Sequence, residues 1–310
     1  MSEIKTLRIG TRASALALKQ AEWVKSFLGQ KSPALKVVLV KIKTEGDKLL
    51  NDPLTELGGK GVFVKEIEEA LIRREIDVAV HSLKDLPTEI PEGLSLEGIT
   101  ERVDPRDVII SRENIPLRDL PKGAKLGTGS LRRRAQLLNF RPDLEILPIR
   151  GNLDTRLRKL TTEGLDAIIV AAAGIKRMGW EDKISEYLPF ETCLPAVGQG
   201  ALGLEIRVDD KEVNNLIKLL DHPPTAGAIR AERAFLKRLG GGCQVPIAAR
   251  GDTEDGRLRL SGIVASVDGT QLVRDSISGE PSRAEPLGIE LAERLLTQGA
   301  EEIIEQFGSL

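Results

Sequence analysis

Hydrophobic and polar positions along this chain alternate between two periods. Residues 6–10 (TLRIG) and 36–43 (KVVLVKIK) read as strands, and the stretch from about Ser14 to Leu28 between them reads as a helix. Val62 to Arg74 is a second helical stretch, with Val64, Ile67 and Leu71 on one face at i, i+3, i+7 spacing. It runs into IDVAV at 76–80, a short apolar run of the kind found in buried parallel strands. Strands alternating with helices predict a parallel α/β sheet.

The pattern recurs. AKLGTGS at 124–130 matches LRIGTRAS at 7–14, each a strand, a Gly-Thr step and then a helix. A helix over about 152–163 before LDAIIVAAAG at 165–174 echoes the helix before EIDVAVHS at 75–82. The chain therefore reads as two similar α/β lobes, with a boundary near VDPRD at 103–107 and a cleft between lobes as the natural ligand site. The last 90 or so residues differ. A helix from about Thr225 to Leu239 stops at three glycines. Strands at 257–267 and 271–278 flank Asp268-Gly269, a hairpin signal, and one long helix from about Pro286 to Phe307 closes the chain as part of a small α+β domain.

Composition narrows the function. The sequence has 310 residues, a net charge of −2 and 3% aromatic residues. That argues against a nucleic-acid binder, which needs a basic surface or rings for bases to stack on. No apolar run reaches membrane-spanning length, and the N-terminus lacks a secretory signal pattern, so a soluble cytoplasmic protein is expected. Two cysteines, Cys193 and Cys243, make no disulfide framework. With His81 and His222 as the two histidines, no metal-ligand spacing is present.

Arginine is where the chemistry concentrates. Arg132, Arg133 and Arg134 follow GTGS in the first turn of a helix, where cations are unfavourable unless an anion sits among them. Arg150, Arg156 and Arg158 open the next helix, and Arg12 lies in the matching turn of the first lobe. A planar guanidinium fork at repeated βα turns fits carboxylate or phosphate better than a merely solvated helix face. HSLKDLP at 81–87 ends a strand where α/β sheets put ligand sites, and gathers His81, Ser82, Lys84 and Asp85. No G-x-S-x-G elbow accompanies it, so Asp85 reads as a proton-moving or cation-stabilising carboxylate, or else as part of a surface pair after a strand. LGGKGVFVKE at 57–66 is a flap or an ordinary loop, and PAVGQGALG at 195–203 is a hinge or a close approach to ligand. Cys243, in the glycine-rich loop LGGGCQVPIAAR, is an exposed functional thiol or an inert one; Cys193 reads as structural.

Taken together, IGTRASALALKQA, FVKEIEEAL, HSLKDLPT, DPRDV, GTGSLRRR, IRGNLDTRL, AAAGIKR, PAVGQGALG and GGCQVPIA resemble, in order and spacing, the hydroxymethylbilane synthase (porphobilinogen deaminase) family over nearly the whole chain. The resemblance implies stepwise condensation of four porphobilinogen molecules with loss of ammonia, and release of linear hydroxymethylbilane. It implies a dipyrromethane cofactor in thioether linkage to Cys243, with Asp85 catalytic. Lys84, Asp85, Ser130, Arg132 and Arg133 would bind the cofactor; Arg12, Ser14, Arg150, Arg156, Arg177 and Gln199 would bind substrate; Lys60 and Phe63 would belong to the flap.

The implied fold is two periplasmic-binding-protein-like lobes with mixed, mainly parallel sheets, plus a small C-terminal α+β domain. Lobe 1 would take residues 1–102 and 200–218, lobe 2 residues 103–199, and the domain with Cys243 residues 219–310. A monomer in the cytoplasm, without metal, membrane or nucleic-acid partner, is expected. Lys19, Gly129 and Arg134 depart from residues frequent in the family, and Gly129 removes a hydroxyl. Two other readings compete: a non-catalytic binder of a small anion, and, less consistent with the charge, a nucleic-acid-binding regulator.

Overall fold

The computed structural model describes residues 4–45, 64–241 and 245–307. In chain order the first elements are β1 (Thr6–Arg12), α1 (Ala15–Lys31), β2 (Lys36–Ile42), α2 (Lys65–Ile72), β3 (Val78–Ser82) and β4 (Leu94–Ile99). There follow β5 (Asp107–Ser111), β6 (Lys125–Gly127), α3 (Leu131–Phe140), β7 (Glu145–Leu147), α4 (Leu153–Thr162), β8 (Ala167–Ala171), α5 (Ala172–Met178) and β9 (Glu186–Tyr187). The remainder is β10 (Leu202–Arg207), α6 (Lys211–Ile217), α7 (Pro223–Arg238), β11 (Ile247–Glu254), β12 (Arg257–Ala265), β13 (Leu272–Gly279), α8 (Ala284–Leu295) and α9 (Glu301–Glu305).

The chain divides into two compact units, Met1–Val103 with Ala201–Ala226, and Asp104–Gly200 with Gly227–Leu310. The first holds one sheet in the order β2-β1-β3-β10-β4. β1 runs parallel to β2 and β3, whereas β10 is antiparallel to both β3 and β4. Both faces of this sheet are covered, which is why its strands read as near-continuous apolar runs. Ala21, Val24 and Leu28 of α1 pack with Val78, Val80, Leu202 and Leu204 on one face. Ile67, Ala70 and Leu71 of α2 pack with Ile76 and Ala79 on the other.

The second unit repeats the scheme as β7-β6-β8-β5-β9, with β6 parallel to β7 and β8 and β5 antiparallel to β8 and β9. In each sheet, then, four strands share a direction and one opposes, a mixed, mainly parallel sheet. The repeated Gly-Thr steps mark the same junction twice. Ser14 caps α1 by accepting from the Ala17 N–H, and Ser130 caps α3 by accepting from the Arg133 N–H.

The second unit also carries an antiparallel sheet, β11-β12-β13, under α7 and α8, with Phe235, Leu260 and Leu291 in its core. Here the structure departs from the periodicity in three places. β11 pairs with β12 through Asp255-Gly256, both at positive φ (49° and 73°), a second hairpin that the sequence pattern does not single out. The Asp268-Gly269 connection is wider than the strand pattern implies. β12 ends at Ala265 and β13 starts at Leu272, because Asp268 Oδ1 accepts from the Ser266 hydroxyl and from the Thr270 N–H and hydroxyl. The final helix is not continuous: Gly299 sits at φ 101°, and this left-handed residue separates α8 from α9.

Candidate active site

In the first unit the residues of interest gather at the carboxyl ends of two neighbouring parallel strands. Ile9 and Gly10 of β1 pair in register with Val78 and Ala79 of β3, so Arg12 and Ser14 leave the same edge as His81 and Ser82. β3 then passes into a short 3-10 turn, Leu83–Asp85. Leu83 is buried and its N–H donates to the Ala201 carbonyl, while Lys84 is half-buried and Asp85 is exposed at the tip. A buried leucine beside an exposed carboxylate fixes the turn and presents Asp85 to solvent. His81 points elsewhere. Its Nε2 lies 2.9 Å from Glu205 Oε2 in the interior of the sheet, so this histidine forms no dyad with Ser82 or Asp85.

The second unit repeats the arrangement at the ends of β6, β7 and β8. Ser130 caps α3 after β6, Arg150 follows β7, and α5 after β8 carries Arg177. Between Arg150 and α4 the chain turns at Gly151 (φ 108°), whose carbonyl accepts from Arg156 Nε at 2.8 Å. That bond folds Arg156 back onto the turn that follows Arg150, and both arginines are half-buried. Gly129 stands against the same turn. A Cβ there would lie 2.7 Å from the Ile149 carbonyl oxygen, so the glycine lets the two strand ends approach.

The sequence leads to an anion among Arg132 and Arg133, and the structure supplies one. The anion among them is the protein's own Asp107, the first residue of β5. Arg132 Nη1 lies 2.8 Å from Asp107 Oδ2, and Arg133 Nη2 lies 2.7 Å from Oδ1. Arg132 also donates to the Leu194 carbonyl and Arg133 to the Ile169 carbonyl. Gln199 joins the cluster, its Nε2 donating to Asp107 Oδ1 at 2.8 Å and to the Pro105 carbonyl. Cys193 donates its thiol to Asp107 Oδ2 at 3.3 Å.

Burial alone would raise the Asp107 carboxyl, but the two guanidinium groups outweigh it and hold the acid far below the usual carboxylate range. Burial, reinforced by Asp107, pushes the Cys193 thiol up to about 12, so it stays protonated. Asp107 is the residue that sequence reasoning missed. The signal is present in DPRDV, where Asp107 opens an apolar run, but nothing local to that segment names the arginines it meets.

One carboxylate shared by two arginines leaves a positive charge in excess. Arg133 Nε has no hydrogen-bond partner among the described residues. Arg177 is a second cation in want of an anion. Burial lowers its pKa to about 10, no carboxylate among the described residues acts on it, and one of its N–H groups donates to the Gly200 carbonyl. With Arg150 and Arg156 at neighbouring strand ends, this donor set fits a ligand bearing several carboxylates, as dipyrromethane does. Lys60, Phe63 and Cys243 lie outside the described residues. Groups of acidic, histidine and cysteine side chains able to hold a metal are absent among the described residues.

Comparison with known proteins agrees with this chemistry. The family model "Porphobilinogen deaminase, dipyromethane cofactor binding domain" matches residues 7–215, and "Porphobilinogen deaminase, C-terminal domain" matches residues 226–297. The chain is 60% identical over 301 residues to a porphobilinogen deaminase of Geotalea uraniireducens, covering 97% of this chain and 94% of the relative. It is 61% identical over 300 residues to one of Geobacter metallireducens, with the same coverage of each. Among solved structures, the methionine binding protein MetQ aligns over 69% of this chain and 89% of its own, at 13% identity and a TM-score of 0.43.

Proposed function

The chain belongs to the porphobilinogen deaminase (hydroxymethylbilane synthase) family, and we propose that Asp85 is its catalytic carboxylate and Cys243 the anchor of its cofactor. The reaction is that of a transferase: four porphobilinogen molecules are joined head to tail with loss of ammonia, and linear hydroxymethylbilane is released by hydrolysis. The observation that carries the reading of Asp85 is its exposure at the tip of a turn whose first residue, Leu83, is buried and donates to the Ala201 carbonyl.

From there the Asp85 carboxylate assists departure of the amino group as ammonia and stabilises the pyrrole cation left on the substrate. Lys84, beside it, offsets its charge and meets cofactor carboxylates. When bound, the dipyrromethane supplies the nucleophilic pyrrole carbon to which the first unit is joined. Ser130, Arg132 and Arg133 hold cofactor carboxylates through the positive charge that Asp107 leaves uncompensated. Arg12, Ser14, Arg150, Arg156, Arg177 and Gln199 receive the acetate and propionate groups of substrate. Arg177 supports this most directly, being a desolvated cation on which no carboxylate among the described residues acts. Lys60 and Phe63 belong to a flap in this reading.

Elimination between the two cysteines supports Cys243 as the anchor. A fully buried thiol held protonated, as Cys193 is, cannot serve as the nucleophile. We read the chain as lobe 1 (1–102 and 200–218), lobe 2 (103–199) and a C-terminal domain (219–310), acting as a cytoplasmic monomer without nucleic acid. Among the described residues no helix is long and apolar enough to cross a membrane. Paired assays of ammonia and tetrapyrrole on incubation with porphobilinogen test the reading. Four ammonia per tetrapyrrole are expected, with both lost in Asp85→Ala; wild-type ammonia release by that variant would remove the role given to Asp85.

A further inference from the structure

Behind the Asp85 turn the sheet buries a histidine and a glutamate that no step of the reaction uses. His81 of β3 and Glu205 of β10 meet at 2.9 Å with side chains 3% and 0% exposed. They lie on the face of the sheet under α2, where Ala79 packs, and not on the face that Val78 and Val80 present to α1. Glu68 of α2 joins them; its carboxyl is pushed up to about 7, by burial first and then by the charge of Glu205, with His81 opposing. The other oxygen of Glu205, Oε1, has no hydrogen-bond partner among the described residues. Other charged groups nearby are engaged elsewhere. Arg207 of β10 donates to the Leu71 and Ile76 carbonyls and pairs with Asp210 and Asp77. Glu66 of α2 accepts from the Glu45 N–H. Among the described residues, His81 is the side chain that answers Glu205.

Stability is a poor explanation for such a pair. Replacing both members of a buried hydrogen-bonded pair with apolar groups of similar shape is often nearly neutral or stabilising, because the desolvation of both is relieved. Location is a better one. His81, Ser82 and Leu83 are the last three residues before Lys84 and Asp85, and each is held from a different direction. His81 is held by Glu205, Ser82 by the side chain of Gln20 of α1 (Nε2 to Oγ, 2.8 Å), and the Leu83 N–H by the Ala201 carbonyl. Successive side chains of a strand point to opposite faces, so a pair on each face fixes the strand's roll about its own axis.

We propose that His81 and Glu205 are positioning residues of the reaction, a buried clamp that sets the direction in which β3 delivers Asp85. The inference rests on the reading of Asp85 given above and deepens it. Misplacement by about 1 Å can cost on the order of 100-fold in rate.

The double variant His81→Leu/Glu205→Met tests it beside Glu205→Gln, all as holoenzymes assayed with porphobilinogen. The double variant should fold, carry its cofactor by mass and keep KM within about twofold, while kcat falls roughly 10- to 100-fold. Glu205→Gln, which retains a hydrogen bond to the imidazole, should keep kcat within about threefold of wild type. Wild-type kcat in the double variant would overturn the clamp, as would a loss in Glu205→Gln as large as in the double variant. Should the double variant not fold, His81→Asn, too short to reach Glu205, must show the same fall in kcat at unchanged KM. Wild-type kcat there overturns the proposal equally. Asp85→Ala separates the two claims. Ammonia release surviving in it sinks the Asp85 reading, whereas an inactive Asp85→Ala beside a fully active double variant sinks the clamp alone.

Discussion

Arg133 meets Asp107 at 2.7 Å in an interior that leaves their side chains 5% and 0% exposed. Asp107 also takes Arg132, Gln199 and Cys193, so one acid organises donors from three segments of the second unit. Asp107→Ala would leave two guanidinium groups buried with their shared anion gone. Breaking a buried pair in this way costs about 3–5 kcal/mol. The variant should melt on the order of 10 °C lower by calorimetry and retain less cofactor. An unchanged melting temperature would mean that Asp107 does not hold the cluster together.

Asp85→Ala should behave in the opposite way. Asp85 is exposed, and substitutions at such positions usually stay within about 0.5 kcal/mol of wild type. Ammonia release should fall at least about 100-fold, within the range that general acid–base catalysis contributes, while the melting curve stays superimposable. A parallel loss of stability would recast Asp85 as structural.

How much of this was legible beforehand depends on the period of the signal. Local features were readable: the helix that follows each Gly-Thr step, the apolar β3 run, and the arginines after those steps. Pairings across long sequence separations were not. Asp107 and Arg133 are 26 residues apart and His81 and Glu205 are 124 apart, and no helical or strand period links either pair. The break at Gly299 was hidden because the apolar positions on either side of it still look helical.

Glu68 predicts a dependence of stability on pH. Its folded-state pKa of about 7 lies above the 4.5 of an ordinary glutamate, so the folded chain binds this proton more tightly than the unfolded one. The resulting stabilisation is complete below pH 4.5 and is lost as pH rises through 7. Its size is on the order of a few kcal/mol. Glu68→Gln, permanently neutral, should flatten that part of the stability profile in urea titrations between those pH values. A profile parallel to that of wild type would assign the dependence to another group.

Arg177 offers a trade between stability and function. It is desolvated with no carboxylate among the described residues acting on it, so in a Cys243→Ser background, which should lack cofactor, Arg177→Leu is expected to raise the melting temperature. In the Cys243-containing enzyme the same change should lower kcat/KM for porphobilinogen by about 10-fold or more, as expected for a lost charge-assisted bond to a carboxylate. Stability falling in both backgrounds would show that Arg177 serves the fold.

The most direct test of the whole account is intact mass under denaturing conditions, followed by mapping of the peptide that spans residues 239–250. The account predicts an excess equal to two linked pyrrole units on Cys243, absent in Cys243→Ser and retained in Cys193→Ala. An unmodified mass that persists after incubation with porphobilinogen, or an adduct carried by any other residue, would contradict it.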